Sequence, residues 1–167
     1  MRIKRTNLYN LKLKTFTEQD VEDYCLLNNI NPDNITELDL NNNELTDISG
    51  IKLFKNLKQL NTGYNKLTDI SVLKDLINLT ELYIHNNKIT DISVLKKLIK
   101  LEKLHMGYNK IKDISVLSNF KNIKTLYIDN LQLESDQIEY IKSLKKLKSL
   151  WPEKGFKNMK VLKQLKI

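Results

Sequence analysis

Leu79-Thr80-Glu81-Leu82-Tyr83-Ile84-His85-Asn86-Asn87-Lys88-Ile89-Thr90-Asp91-Ile92-Ser93-Val94-Leu95 is answered 22 residues later by Leu101-Glu102-Lys103-Leu104-His105-Met106-Gly107-Tyr108-Asn109-Lys110-Ile111-Lys112-Asp113-Ile114-Ser115-Val116-Leu117. Both stretches are apolar at the first, fourth, sixth and eleventh positions, carry asparagine at the ninth and have Asp-Ile-Ser from the thirteenth. Working outward, units of the same length begin at Ile35 and Leu57, and a fifth begins at Ile123. Thr62 is the one polar sixth position among them. Self-similarity at such a period is the mark of stacked repeats. Each unit opens as a short strand whose first, fourth and sixth positions turn inward, and one coil cannot bury that edge alone, so stacking is compulsory.

The remaining constant positions follow from the same geometry. Asn43, Asn65, Asn87 and Asn109 form a ladder whose amides both donate to and accept from backbone groups where the chain turns inward. Asp47, Asp69, Asp91 and Asp113 stand just before short apolar turns and read as caps of 3-10 or single helical turns on the convex side. One carboxylate per coil is too few for a calcium site.

The 167 residues form one domain. Residues 1–34 are expected to be an N-terminal capping unit, 35–122 four regular repeats, and 123–167 divergent repeats with a C-terminal cap. Leu8, Leu11 and Leu13 fit the apolar triplet, and a helix capped by Thr17 is expected from about Glu18 to Asn28. Leu131 replaces the ladder asparagine, and a helix over Ser135 to Leu144 belongs to a unit of 24 residues ending before Leu147. Leu147 and Leu150 start a further strand that Pro152 stops. Leu162, Leu165 and Ile167 suggest a closing edge strand, with Lys160, Lys163 and Lys166 guarding it against a second molecule.

The apolar triplets, the asparagine ladder and segments such as Leu67-Thr68-Asp69-Ile70-Ser71-Val72-Leu73 resemble leucine-rich-repeat proteins of the short class. That class includes the bacterial internalins and the regulatory subunit of a eukaryotic serine/threonine phosphatase. The likeness is strongest over residues 35–130. It implies an α/β solenoid, a right-handed horseshoe with a parallel concave sheet, short convex turns and helical capping units at both ends. It names no partner, because such folds host many unrelated binding roles.

Charge points less toward nucleic acid than the net value of +8 suggests. Lysines 142, 145, 146, 148, 154, 157, 160, 163 and 166 face only Glu153 after residue 140, and the rest of the chain is balanced. Arginine, the preferred fork for phosphate, occurs only as Arg2 and Arg5. Nucleic acid is therefore not the expected partner. No apolar run reaches membrane-spanning length and the start lacks an apolar signal segment, so a cytoplasmic monomer is expected. Cys25 is the only cysteine, which excludes an internal disulfide.

Function is sought on the positions that the core does not use. The third positions are Glu37, Gln59, Glu81, Lys103, Thr125 and Ser149, and the seventh are Asn41, Gly63, His85, Gly107 and Asp129. The fifth are Asp39, Asn61, Tyr83, His105, Tyr127 and Trp151, so four consecutive coils put a ring in one column. Cross-strand stacking alone favours such residues by about 0.2–1 kcal/mol per pair. Exposed Tyr and Trp on a rigid sheet are also typical interface anchors. The expected partner is another protein or peptide, contacting Tyr83, His105, Tyr127 and Trp151, flanked by Glu81, His85, Lys103 and Asp129. The mildly acidic tone and the rings of the face point to a basic or aromatic-accepting partner. Gly63 and Gly107 either let partner backbone approach or relieve crowding at a tight bend.

His85, His105 and Asp129 resemble a metal site only loosely, and no nucleophile motif or phosphate loop is present. No cofactor and no catalysis are expected. The alternative to a protein-binding adaptor is a scaffold whose lysine-rich end touches nucleic acid or an acidic surface.

Overall fold

The computed structural model of the chain describes residues 1–3 and 14–165. Leu8, Leu11 and Leu13 of the first triplet, with Lys166 and Ile167, lie outside the described residues. Among the described residues seven parallel strands form one open sheet in chain order: β1 (Arg2–Ile3), β2 (Glu37–Asp39), β3 (Gln59–Asn61), β4 (Glu81–Tyr83), β5 (Lys103–His105), β6 (Thr125–Tyr127) and β7 (Ser149–Trp151). Their register pairs Leu38, Leu60, Leu82, Leu104, Leu126 and Leu150 in one row. The longer unit before β7 keeps that row intact, so Trp151 sits opposite Tyr127.

Each coil returns through a five-residue 3-10 turn, at Ser49–Leu53, Ser71–Asp75, Ser93–Lys97 and Ser115–Asn119. The aspartates act one position earlier than a helix cap. Asp47, Asp69, Asp91 and Asp113 each accept the N–H of the serine two residues on at 2.7 Å, an Asx turn that starts the 3-10 segment. Between strands and turns runs one apolar core, in which Leu60, Leu82, Leu104 and Leu126 are fully buried. Thr62 is also fully buried, and its hydroxyl donates to the Tyr83 carbonyl at 3.4 Å, so the one polar sixth position carries its own partner.

The asparagines tie successive coils together. The Asn87 amide donates to Thr62 O in the preceding coil at 2.9 Å and to Ile84 O and His85 O in its own at 3.1 Å, while its oxygen accepts from Leu67 N–H at 2.9 Å. Asn65 and Asn109 repeat the pattern, bonding Leu40 O and Ile84 O respectively at 2.9 Å.

Helix α1 (Glu18–Leu27) begins with a capping box between Thr17 and Asp20 and buries Val21, Tyr24 and Cys25 against the first turn. At that crossing Gly50 stands where later coils have Val72, Val94 and Val116, because a Cβ there would lie 2.2 Å from the Thr17 carbonyl oxygen. Near the other end, the expected helix over Ser135 to Leu144 is shorter and mixed: a 3-10 segment at Ser135–Gln137 leads into α2 (Ile138–Lys142). The closing edge strand is not formed over its first part. Met159–Gln164 is a 3-10 helix, with Asn158 accepting from Lys160 N–H at its start, so Lys160 and Lys163 guard no strand there.

Candidate protein-binding face

Alternation along each strand turns the third and fifth positions away from the core, and the register makes Tyr83, His105, Tyr127 and Trp151 direct cross-strand neighbours. Their rings do not form a single stack. His105 lies parallel to His85, with centroids 3.9 Å apart and planes 6° apart. On its other side His105 tilts against Tyr127 at 4.7 Å, and Tyr127 lies parallel to Trp151 at 5.8 Å. Tyr64 meets His85 edge-on at 5.1 Å. A continuous series therefore runs Tyr64, His85, His105, Tyr127, Trp151.

Tyr83 stands beside this series rather than in it. Its hydroxyl donates to Glu81 Oε2 at 2.6 Å, and Lys103 Nζ lies 5.1 Å from its ring centre and 5.8 Å from that of Tyr127. Lys103 thus bridges two rings by cation–π contact. Burial, then the hydrogen bond to Glu81, pushes the Tyr83 phenol above its ordinary value. Toward the other end Glu37, Asp39, Gln59, Asn61 and Tyr83 line a hollow of about 80 Å³. The face is polar and acidic at its first coils and aromatic at its last.

Gly63 is occupied space. A Cβ there would lie 2.4 Å from His85 Cε1, so the missing side chain is what admits the imidazole to the stack. At Gly107 a Cβ would lie 2.9 Å from the backbone N and O of Asp129. Both glycines are buried, so they relieve crowding and do not open the surface to a partner.

The histidines are held neutral. His85 Nδ1 and His105 Nε2 are buried without a hydrogen-bond partner among the described residues. Burial pushes His85 below the usual imidazole value, and burial, then the charges of His85 and Lys103, pushes His105 down to about 4. Asp129 Oδ2 lies 3.8 Å from His105 Nε2, beyond hydrogen-bond length, and burial raises its own carboxyl. At neutral pH the contact is one between a carboxylate and an uncharged ring. The parallel rings aim their in-plane lone pairs along separate planes, and no cluster of three metal-ligating groups forms among the described residues.

Two residues that sequence reasoning passed over stand at the rim. Each of the four regular coils and the unit after them has a left-handed residue at its eighth position: Asn42, Tyr64, Asn86, Tyr108 and Asn130, with φ of 52–55°. Asparagine tolerates this conformation and tyrosine does not favour it. Tyr64 and Tyr108 are nevertheless there, 58% and 43% exposed. The repeated Gly-Tyr-Asn-Lys at 63–66 and 107–110 was the available signal.

A parallel, unclosed sheet with one strand per coil, 3-10 returns and an inter-coil asparagine series defines a repeat solenoid. The chain belongs to the leucine-rich-repeat family: the profile for leucine-rich repeats in two copies matches residues 33–75, 62–97, 77–119 and 99–146. Among solved structures it is similar to an internalin, InlF, of Listeria monocytogenes, with 38% identity and a TM-score of 0.67 over 71% of this chain and 35% of that one. Internalin C2 of the same organism shares 29% identity at a TM-score of 0.64, covering 77% of this chain and 56% of its own. A leucine-rich-repeat protein of Leptospira interrogans shares 26% identity at a TM-score of 0.64, over 71% of this chain and 31% of that one. The chain thus spans between about a third and a little over half of these relatives. No curated protein matches it by sequence. Among the described residues no helix is long and apolar enough to cross a membrane.

Proposed function

We propose that the chain is a non-catalytic binding module that engages another polypeptide across the open, concave face of its sheet. Tyr127 and Trp151 are the central anchors, His105 and His85 set their stacking, and Tyr83, Glu81, Lys103 and Asp129 flank them. The observation that carries this reading is the series of five touching rings on a face the core does not use. Rings already packed against neighbours lose little freedom on binding and offer large contact area. Glu37, Asp39 and Glu81 at the acidic end favour a basic segment of the partner. Protein interaction is the common use of this fold, and an open sheet offers no enclosed site for chemistry.

The test is affinity capture from extract of the native cell with wild type, Tyr127→Ala, Trp151→Ala and a convex-side variant, Lys74→Glu with Lys97→Glu. The reading expects a protein that wild type and the convex variant retain and the two strip variants lose. Retention should survive several-fold more salt than lysine contacts to a polyanion would. Equal capture by all four proteins would refute it.

A further inference from the structure

The convex side carries a feature that the ring series does not touch. Where each 3-10 turn leads back toward the next strand, the equivalent residues of the four regular coils are Lys55, Ile77, Ile99 and Lys121. Hydrogen bonds between coils put them side by side. The Asn78 amide donates to Lys55 O at 3.3 Å, Lys100 Nζ donates to Asn78 Oδ1 at 2.7 Å, and the Asn122 amide donates to Ile99 O at 3.1 Å. Ile77 and Ile99, 50% and 56% exposed, are the two exposed large aliphatic side chains of the regular repeats. Folding does not ask for them, since the coils on either side place lysine at the same position. Lys74, Lys96 and Lys97 are exposed in the turns that lead into the pair, and like Lys55 they make no ion pair among the described residues. Asp75 is the carboxylate beside them, and Glu102 is taken up by Lys124 at 2.6 Å.

We propose that this column is a docking surface for an anionic phospholipid bilayer, with Ile77 and Ile99 entering the headgroup layer and the surrounding lysines meeting its phosphates. Stable attachment to a bilayer takes two signals, buried apolar groups and attraction to anionic lipid, and the column supplies both in one place. The charge is lysine throughout, a flexible point charge that suits headgroups in motion, whereas fixed phosphates or carboxylates are better matched by arginine forks. Hollows that could seat a peptide lie at α1 and beside β7, and none of their lining residues belongs to the column. A fluid surface needs no groove. Nucleic acid fits less well, because its phosphates have no use for the isoleucines and the column offers no ring for a base to stack on. A second copy of this chain would bring like charges together. Docking on the convex side leaves the ring series, on the opposite side of the coils, open to a polypeptide.

The test is co-sedimentation of the full chain with vesicles of phosphatidylcholine, either pure or with about a third phosphatidylglycerol. The proposal expects binding to the anionic vesicles and none to the pure ones. Lys74→Glu with Lys97→Glu, and separately Ile77→Ser with Ile99→Ser, should each weaken binding about tenfold or more. All four are exposed positions, so the melting midpoint should not move. Orientation is read by fluorescence: Ile99→Trp should be quenched by lipids with brominated acyl chains, whereas wild type, whose one tryptophan is Trp151, should not. Four results would overturn the proposal: no binding to anionic vesicles; full binding by the isoleucine double variant; quenching in wild type equal to that in Ile99→Trp, which would put the lysine-rich C-terminal end on the bilayer; or binding of polyglutamate or oligo-dT as tight as that of the vesicles, which would make the lysines a general polyanion site.

Discussion

Two series of side chains cross the same strands a few residues apart, and they obey different rules. The inner series, Asn65, Asn87 and Asn109, repeats one residue in one geometry, each amide joining its own coil to the one before. The outer series, Tyr64, His85, His105, Tyr127 and Trp151, mixes three residue types and draws on three different coil positions. Uniformity marks what every coil needs to fold. Variety marks where folding leaves the choice open, and there the chain accepts costs: tyrosines in left-handed backbone, and imidazole nitrogens buried without partners among the described residues.

The contrast can be broken from the inside first. Leu104→Ala removes a fully buried side chain from the shared row and should cost about 2–5 kcal/mol in a urea titration. A smaller loss would mean that neighbouring coils close the cavity. Asn87→Ala should cost about 1–3 kcal/mol, since three carbonyls and one N–H lose a partner inside the stack. An unchanged midpoint would remove the ladder from the account. On the rim the sign reverses: Tyr108→Asn should gain about 1 kcal/mol, matching what Asn42, Asn86 and Asn130 already do at that position. A drop in stability would show that Tyr108 serves the fold after all.

The histidine pair gives the most specific signal. His105 titrates near 4 in the folded chain and near 6.5 when unfolded, so between those values the unfolded state takes up a proton that the folded state refuses. Stability from this group is complete above about 6.5, falls as pH drops toward 4 and levels off below. The groups around it act unequally: His85 and Lys103 oppose its proton, and Asp129, 3.8 Å away, makes no hydrogen bond to it. A thermal-melt series with His105→Gln should show a shallower decline across that window than wild type. Parallel curves would mean that the ring is not held neutral by the stack.

Much of the fold was legible because the repeat states each constraint four times over. The register, including the 24-residue unit that brings Trp151 opposite Tyr127, follows from the apolar triplets alone. What was not legible depends on single contacts. The spacing lets His105 meet either His85 diagonally or Tyr83 directly across; the empty Cβ position at Gly63 admits the first. The closing lysine-rich segment alternates like a strand, yet Asn158 caps it into a 3-10 helix, a local hydrogen bond overriding a periodic pattern. The lone Gly50 among valines hinted at the crossing of α1, but the partner at that crossing is 33 residues away in sequence, in Thr17.

The central claim, that the outer series binds and the inner series folds, is tested most directly by titrating a captured partner against Tyr127→Ala beside wild type. Truncating a buried aromatic anchor costs about 2–4 kcal/mol, so affinity should fall roughly 30-fold or more. The denaturation midpoint should move by less than about 1 kcal/mol, the scale of one cross-strand ring pair. Full affinity in Tyr127→Ala, together with loss of binding in Lys74→Glu or Lys97→Glu on the convex side, would contradict the account.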